Sequence, residues 1–272
     1  MNEVNDSYID KTSKKDRYNL HQFYRGEGSG TEYFPAQQIT EEVYRVHALK
    51  IVTLSMDFLG ATVKQRKKLE ADWIDILPSL DNVRMLSVRH RVNQNYFEAI
   101  CKMKNLEKLY FWTSTVESIN NIVNLKKLDF LGLSSFSRLS DISPILGLTN
   151  LTHLSIENSF KIENYEIIGN MHDLVGLRLN GDCFAPKNLR LQTLTAFKSL
   201  KKLKHLDLSC ASVIDKSYDS ILDMVTLERF DSHSEISKSL REKIKANHKT
   251  LKAGFFMDWD FENKRIYEGK EW

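Results

Sequence analysis

The sequence predicts an α/β solenoid, a curved stack of similar units with a parallel β-sheet on its concave face and short helices or 3-10 turns on its convex face. Three observations carry this. A six-residue block, Leu-x-x-Leu-x-Leu with conservative replacements, recurs along the chain. Its copies begin at intervals of 19 to 32 residues, mostly inside the 20–29 window typical of one class of repeat protein. Between copies the apolar spacing changes from two to three.

The copies are IVTLSM from Ile51, VRMLSV from Val83, LEKLYF from Leu106, LKKLDF from Leu125, LTHLSI from Leu151, LVGLRL from Leu174, LKHLDL from Leu203 and LERFDS from Leu227. The Leu-x-Leu pair alternates with period two, so each block reads as a short strand with one apolar face. No unit can bury its own leucines, so stability comes from the neighbouring unit. The successive steps are 32, 23, 19, 26, 23, 29 and 24 residues, and the 32- and 29-residue steps call for insertions. Gln65 to Leu80 supplies the first as an amphipathic helix with Leu69, Trp73, Ile76 and Leu77 on one face. Val116-Ile119-Ile122-Leu125 and Leu139-Ile142-Ile145-Leu148-Leu151 have the period of 3-10 turns. Tyr96 to Met103 and Tyr218 to Met224 are richer in helix formers. These features divide the chain into an N-terminal cap over residues 1–45, a repeat domain over 46–235 and a C-terminal cap over 236–272. The N-terminal cap contains Gly26, Gly28 and Gly30 in a flexible loop. The C-terminal cap holds a helix over Ser237 to His248 and an aromatic β-hairpin over Gly254 to Gly269, which can serve either as a cap or as a second contact surface.

The run LSDISPILGLTNLTHLSI (Leu139 to Ile156), with Ser143-Pro144 inside it, resembles the internalin-like subclass of bacterial leucine-rich repeats. The resemblance covers Ile51 to Ser232 and implies a leucine-rich-repeat solenoid that binds protein on its concave face. That family carries an asparagine ladder two residues past each strand. The corresponding positions here are Ser114, Leu133, Ser159, Asp182 and Ala211, so the ladder is degraded and an irregular solenoid is expected. The family's export and wall-anchoring signals are not seen in this sequence, so a surface invasin role is not expected to carry over.

The composition narrows the function. Hydrophobic residues at 42% support a large core, and a net charge of +3 lacks the basic excess of a nucleic-acid or membrane-surface binder. No apolar segment approaches the ~20 residues of a membrane helix. Cys101, Cys183 and Cys210 are far apart and without C-x-x-C spacing, which suggests reduced thiols in a cytoplasmic protein. No catalytic or metal motif is present in the sequence, so the reading is of a non-enzyme without cofactor or metal.

The residues interleaved with the strand leucines point away from the core, and the candidate partner-binding residues are therefore Arg89, Tyr110, Trp112, Asp129, Glu157, Arg178, Asp207 and Asp231. Tyr, Trp and Arg are the side chains that dominate binding hot spots. The acids suggest a groove for a protein with basic side chains, such as a toxin neutralised by its cognate immunity protein. An adaptor or host-directed effector is the second reading. Either would be a monomer when free, with no nucleic-acid or membrane partner.

Overall fold

A computed structural model describes residues 33–52, 61–182, 185, 187–232, 236–251 and 254. The glycine loop, the first repeat's Thr53 to Met56 and almost all of the C-terminal hairpin lie outside the described residues. The strands are β1 (Phe34–Ala36), β2 (Ala48–Ile51), β3 (Met85–Val92), β4 (Lys108–Ser114), β5 (Phe130–Ser134), β6 (His153–Glu157), β7 (Gly176–Asn180), β8 (Leu189–Leu191), β9 (His205–Leu208), β10 (Ala211–Val213) and β11 (Arg229–Ser232). Nine of them form one parallel sheet, in chain order with β8 and β10 left out. Those two pair with each other in a separate two-stranded sheet. The chain divides into two compact units, one over residues 31–152 with 156–165 and the other containing 153–155 and the chain from 166 onward.

In the first unit the strand register corrects the sequence frame at two places. Lys108, Leu109, Tyr110 and Phe111 lie beside Phe130, Leu131, Gly132 and Leu133. The block therefore begins at Leu128, not Leu125, and the steps of 19 and 26 become 22 and 23. Leu131, placed by the sequence frame on the open face, is fully buried. The cause is an ambiguity in NLKKLDFLGL, which contains two overlapping Leu-x-x-Leu-x-Leu frames. Packing selects the one that keeps neighbouring repeats equal in length. Likewise Leu49 and Ile51 lie beside Leu86 and Val88, so the first block begins at Val46 rather than Ile51.

The connectors follow the predicted helices closely. Helix α1 (Val63–Ile76) opens on a reciprocal capping box between Thr62 and Gln65, which satisfies two otherwise unbonded backbone donors. It buries Trp73, and Leu77 just beyond its end, completely. Helix α2 (Gln94–Ile100) is capped by the Asn93 side chain. The turns at Asn120–Asn124 and Ser143–Gly147 are 3-10, and Pro144 starts the second of them, a position that needs no backbone N–H.

Two interactions tie one repeat to the next. The residue just before a block's first leucine sends its side chain to a carbonyl of the preceding repeat. Asn82 donates to Val43 and Val46, Asn105 to Asp81 and Asn150 to Lys126. On the far side of the strand Ser114 and Ser159 make short rungs. Ser114 Oγ donates to the Val92 carbonyl at 3.1 Å, and Ser159 Oγ accepts from the Phe136 N–H at 3.0 Å. Phe136, not Leu133, is equivalent to Ser114 in the observed register. It is fully buried and stacks edge-on against Phe111, which meets Phe97 of α2.

Strand β3 carries a bulge between Val88 and Arg91. Beside it His90 is buried, with neither ring nitrogen hydrogen-bonded, and its ring meets Tyr96 edge-on at 4.7 Å. Burial pushes the His90 pKa down to about 4.

The second unit repeats this scheme with an insertion. Its 29-residue step contains β8 and a loop closed by backbone bonds between Asp182 and Lys187. Asn180 Oδ1 accepts from the Cys210 N–H at 2.8 Å, a rung two residues earlier than the family's ladder. Cys101, in the first unit, is free and buried, but Cys210 is disulfide-bonded; the expectation of three reduced thiols fails there. Helix α3 (Ser220–Asp223) is a single turn, and helix α4 (Lys238–Asn247) begins on the Ser237 cap, as the sequence predicts. Thr226 and Thr250 provide the preceding-residue rung, to Leu203 and Leu227. Leu251 is buried one 24-residue step after Leu227, so the repeat spacing extends past the predicted domain boundary at 235.

Two predictions test these placements. Phe136→Ala should cost about 3–5 kcal/mol of unfolding free energy in urea denaturation. A cost near zero would restore the sequence frame, in which residue 136 follows the strand as loop. His90 contributes a pH dependence whose sign is fixed. Its folded pKa of about 4 lies below the ordinary 6.5, so below pH 6.5 the unfolded chain gains a proton that the folded chain refuses. Stability should fall by about 3 kcal/mol between about pH 6.5 and 4 through this residue, and His90→Phe should flatten that slope.

Candidate functional site

The eight candidate residues divide between the units, and each group has its own geometry. Arg89, Tyr110, Trp112, Asp129 and Glu157 belong to the first; Arg178, Asp207 and Asp231 belong to the second.

In the first unit, alternation along β3 and β4 turns Arg89, Tyr110 and Trp112 to the face opposite the leucines. They meet there. The Arg89 guanidinium sits 4.4 Å from the Trp112 ring centroid, a cation–π distance. Trp112 and Tyr110 meet edge-on at 6.1 Å, with ring planes 70° apart. Trp112 is 37% exposed, while Tyr110 is only 7% exposed, so the sequence expectation of two solvent-facing aromatics holds for Trp112 alone. The reason is Gly132. A Cβ built there would lie 2.1 Å from the Tyr110 ring, so the tyrosine lies flat over a strand position that has no side chain. Tyr110 supports Trp112 from below, and Trp112 and half-buried Arg89 form the accessible part of the platform.

The acidic members do not form an acidic surface. Asp129 is 2% exposed and lies off the central column, because the true register gives that place to Gly132. Its carboxylate pairs with buried Lys108 at 2.6 Å. Glu157 is half-buried at the end of β6. Neither joins the Arg89–Trp112 contact in the way the sequence grouping suggested.

In the second unit Arg178, Asp207 and Asp231 are adjacent across β7, β9 and β11. Arg178 pairs with Asp207 at 3.1 Å, and Arg229 grips Asp231 through two nitrogens at 2.5 and 3.2 Å. Burial opposes ionisation of Asp207, but the Arg178 guanidinium and hydrogen bonds from Ser209 hold its carboxyl below the usual range. His205, whose strand partner on β11 is Arg229, is neutral. Burial first, then Arg229 and Lys204, push its pKa down to about 3. Two aspartates thus face two arginines, and the acidic groove expected from the sequence is internally neutralised.

Sequence reasoning missed Gly132, Lys108 and Arg229. A search for equal repeat lengths would have found the first, since the frame from Leu128 sets glycine beside Tyr110. Lys108 and Arg229 stand two residues before the outward-pointing Tyr110 and Asp231, and alternation alone did not match them to the acids. Among the described residues no group of three His, Cys, Asp or Glu is placed to hold a metal, and no helix is long and apolar enough to cross a membrane.

No protein-family model matches the sequence, and no curated protein matches it. Solved structures do. An internalin of Listeria monocytogenes is 18% identical over 87% of this chain and 67% of its own, with a TM-score of 0.53. A leucine-rich-repeat protein of Leptospira interrogans is 21% identical over 81% of this chain, with a TM-score of 0.55. This chain spans about half, 52%, of the Leptospira protein. At such identities the likeness is one of fold, and the fold of this chain is a leucine-rich-repeat solenoid of the internalin-like kind.

Proposed function

We propose that the chain is a non-catalytic protein-binding scaffold whose contact centre is the Arg89–Tyr110–Trp112 platform. The fold supports protein binding in general. The carrying observation is the seat of Tyr110 over Gly132, which fixes a half-exposed indole and its stacked guanidinium on two paired strands. Binding hot spots favour Trp, Tyr and Arg with their conformation set in advance. A partner side chain can pack on the indole, beside which the Arg89 guanidinium holds a positive charge.

The finer reading is an immunity protein that neutralises a cognate toxin. It is tested by co-expressing the chain with the product of the adjacent gene and asking for a stable complex and loss of toxicity. Independent behaviour with every neighbouring gene product ends this reading. The paired aspartates alter the chemistry expected of the toxin. They lend no support to a basic contact surface, and the platform suits an apolar or carboxylate-bearing one.

Two sets of substitutions separate binding from folding. Trp112→Ala should weaken the complex by about 2 kcal/mol or more, read by calorimetric titration, with the unfolding transition unchanged. Gly132→Val should weaken it as well by displacing the Tyr110 ring, although residue 132 itself makes no contact. Asp207→Asn should act oppositely. It removes the Asp207 carboxylate from Arg178, at a cost of about 3–5 kcal/mol in stability, while a complex centred on the platform keeps its affinity.

A further inference from the structure

The first two turns of α1 carry a charge arrangement that the fold itself does not need. Lys64, Arg66, Lys67 and Lys68 occupy four of five consecutive positions, and all four are exposed. The first turn contains no acid. Among the described residues none of the four takes part in an ion pair, although Arg66 Nε does donate to the Ala61 carbonyl at 3.1 Å. Both features oppose helix stability. The start of a helix carries positive partial charge and favours anions, and like charges three and four residues apart, as Lys64 is from Lys67 and Lys68, repel. The helix is held regardless, by its capping box and by the burial of Trp73 and Leu77. Elsewhere Arg45, Arg138, Lys198, Lys202 and Lys243 each meet a carboxylate within 3.2 Å, while other exposed lysines such as Lys102, Lys104 and Lys126 stand singly or in pairs without one among the described residues; the α1 cations differ in being four together.

We propose that Lys64, Arg66, Lys67 and Lys68 form a docking surface for an acidic patch on a partner protein. The scale of the cluster favours this class. Five helical residues span about 7.5 Å, enough for a small group of carboxylates. A nucleic-acid site would track several successive phosphates and lie in a more basic molecule. A membrane site would add an apolar stripe to the cations, whereas among the described residues the exposed apolar neighbour is Val63 alone. A patch of this size acts mainly on association rate and is screened by salt.

The test uses the full chain and a fluorescein-labelled oligo-glutamate peptide, with a short DNA duplex and phosphatidylserine–phosphatidylcholine vesicles in parallel. The chain should bind the peptide with an affinity that falls as salt rises. Binding should weaken about tenfold when Lys64, Arg66, Lys67 and Lys68 are all changed to Gln, and remain unchanged when Lys198, Lys201 and Lys202 are changed to Gln. The first variant should melt no lower than the parent, because it loses repulsion rather than contacts. Should it fail to fold, Lys67→Gln with Lys68→Gln, beyond the capping box, should show a smaller loss in the same direction. Equal loss in the two lysine sets, or no salt-dependent peptide binding, overturns the proposal. So does tighter capture of DNA or vesicles through the same four residues, which would assign the surface to that ligand.

Discussion

The structure depends on one constraint: a strand of four or five residues cannot bury its own leucines, so each must lie in register with its neighbour. Register is reinforced by side-chain rungs on opposite sides of the strand, on one side or both depending on the repeat. Asn82, Asn105, Asn150, Thr226 and Thr250 hold the turn that leads into a strand by bonding a carbonyl of the repeat before. Ser114, Ser159 and Asn180 hold the chain as it leaves. The asparagine ladder expected from the family is weakened on the leaving side, and part of its task passes to the entering side. Large apolar groups fill what remains, as Phe136 does at the position where Ser114 and Ser159 sit one repeat away on either side.

That constraint also builds the platform. Once β4 and β5 are locked, residue 132 must lie beside Tyr110, and only a position without a Cβ admits the ring. The bulge in β3 places Arg89 over Trp112 from the other side. Three side chains on adjoining strands are thereby fixed by backbone pairing rather than by a loop, which limits the ordering a partner must impose.

Much of the fold was legible in the sequence because burial leaves a periodic trace. The strand blocks, the α1 face of Trp73 and Leu77, the Pro144 turn and the Ser237 cap all come from local patterns. The frame at Leu125 was lost because Leu125, Leu128, Leu131 and Leu133 satisfy the same pattern in two ways, and only the neighbouring strands decide between them. The site was less legible. Alternation identifies which residues leave the core, so Arg89 and Trp112 were found. It does not show whether a residue that leaves the core is then covered by its neighbours, and Tyr110, Asp129, Asp207 and Asp231 were all covered. Charge counted along one column misled for a related reason, since Lys108 and Arg229 belong to the column beside it.

The pairing of charges bears on recognition. Asp129, Asp207 and Asp231 are each within 3.1 Å of a cation that is itself largely buried. Breaking such pairs to meet a partner would expose desolvated charges on both sides, and it is the loss of one member that is costly. These acids therefore stiffen the sheet and give little attraction to an approaching basic surface. Among the charges that require no such sacrifice are the cations of α1, which are exposed and without ion-pair partners among the described residues. On the proposed reading, a partner that approaches electrostatically is one with negative charge, and its close contact falls to the indole of Trp112. The sheet's polar residues divide accordingly into those that hold neighbouring repeats together and those free to meet another molecule, and the second group is far smaller than the count of outward-pointing positions implies.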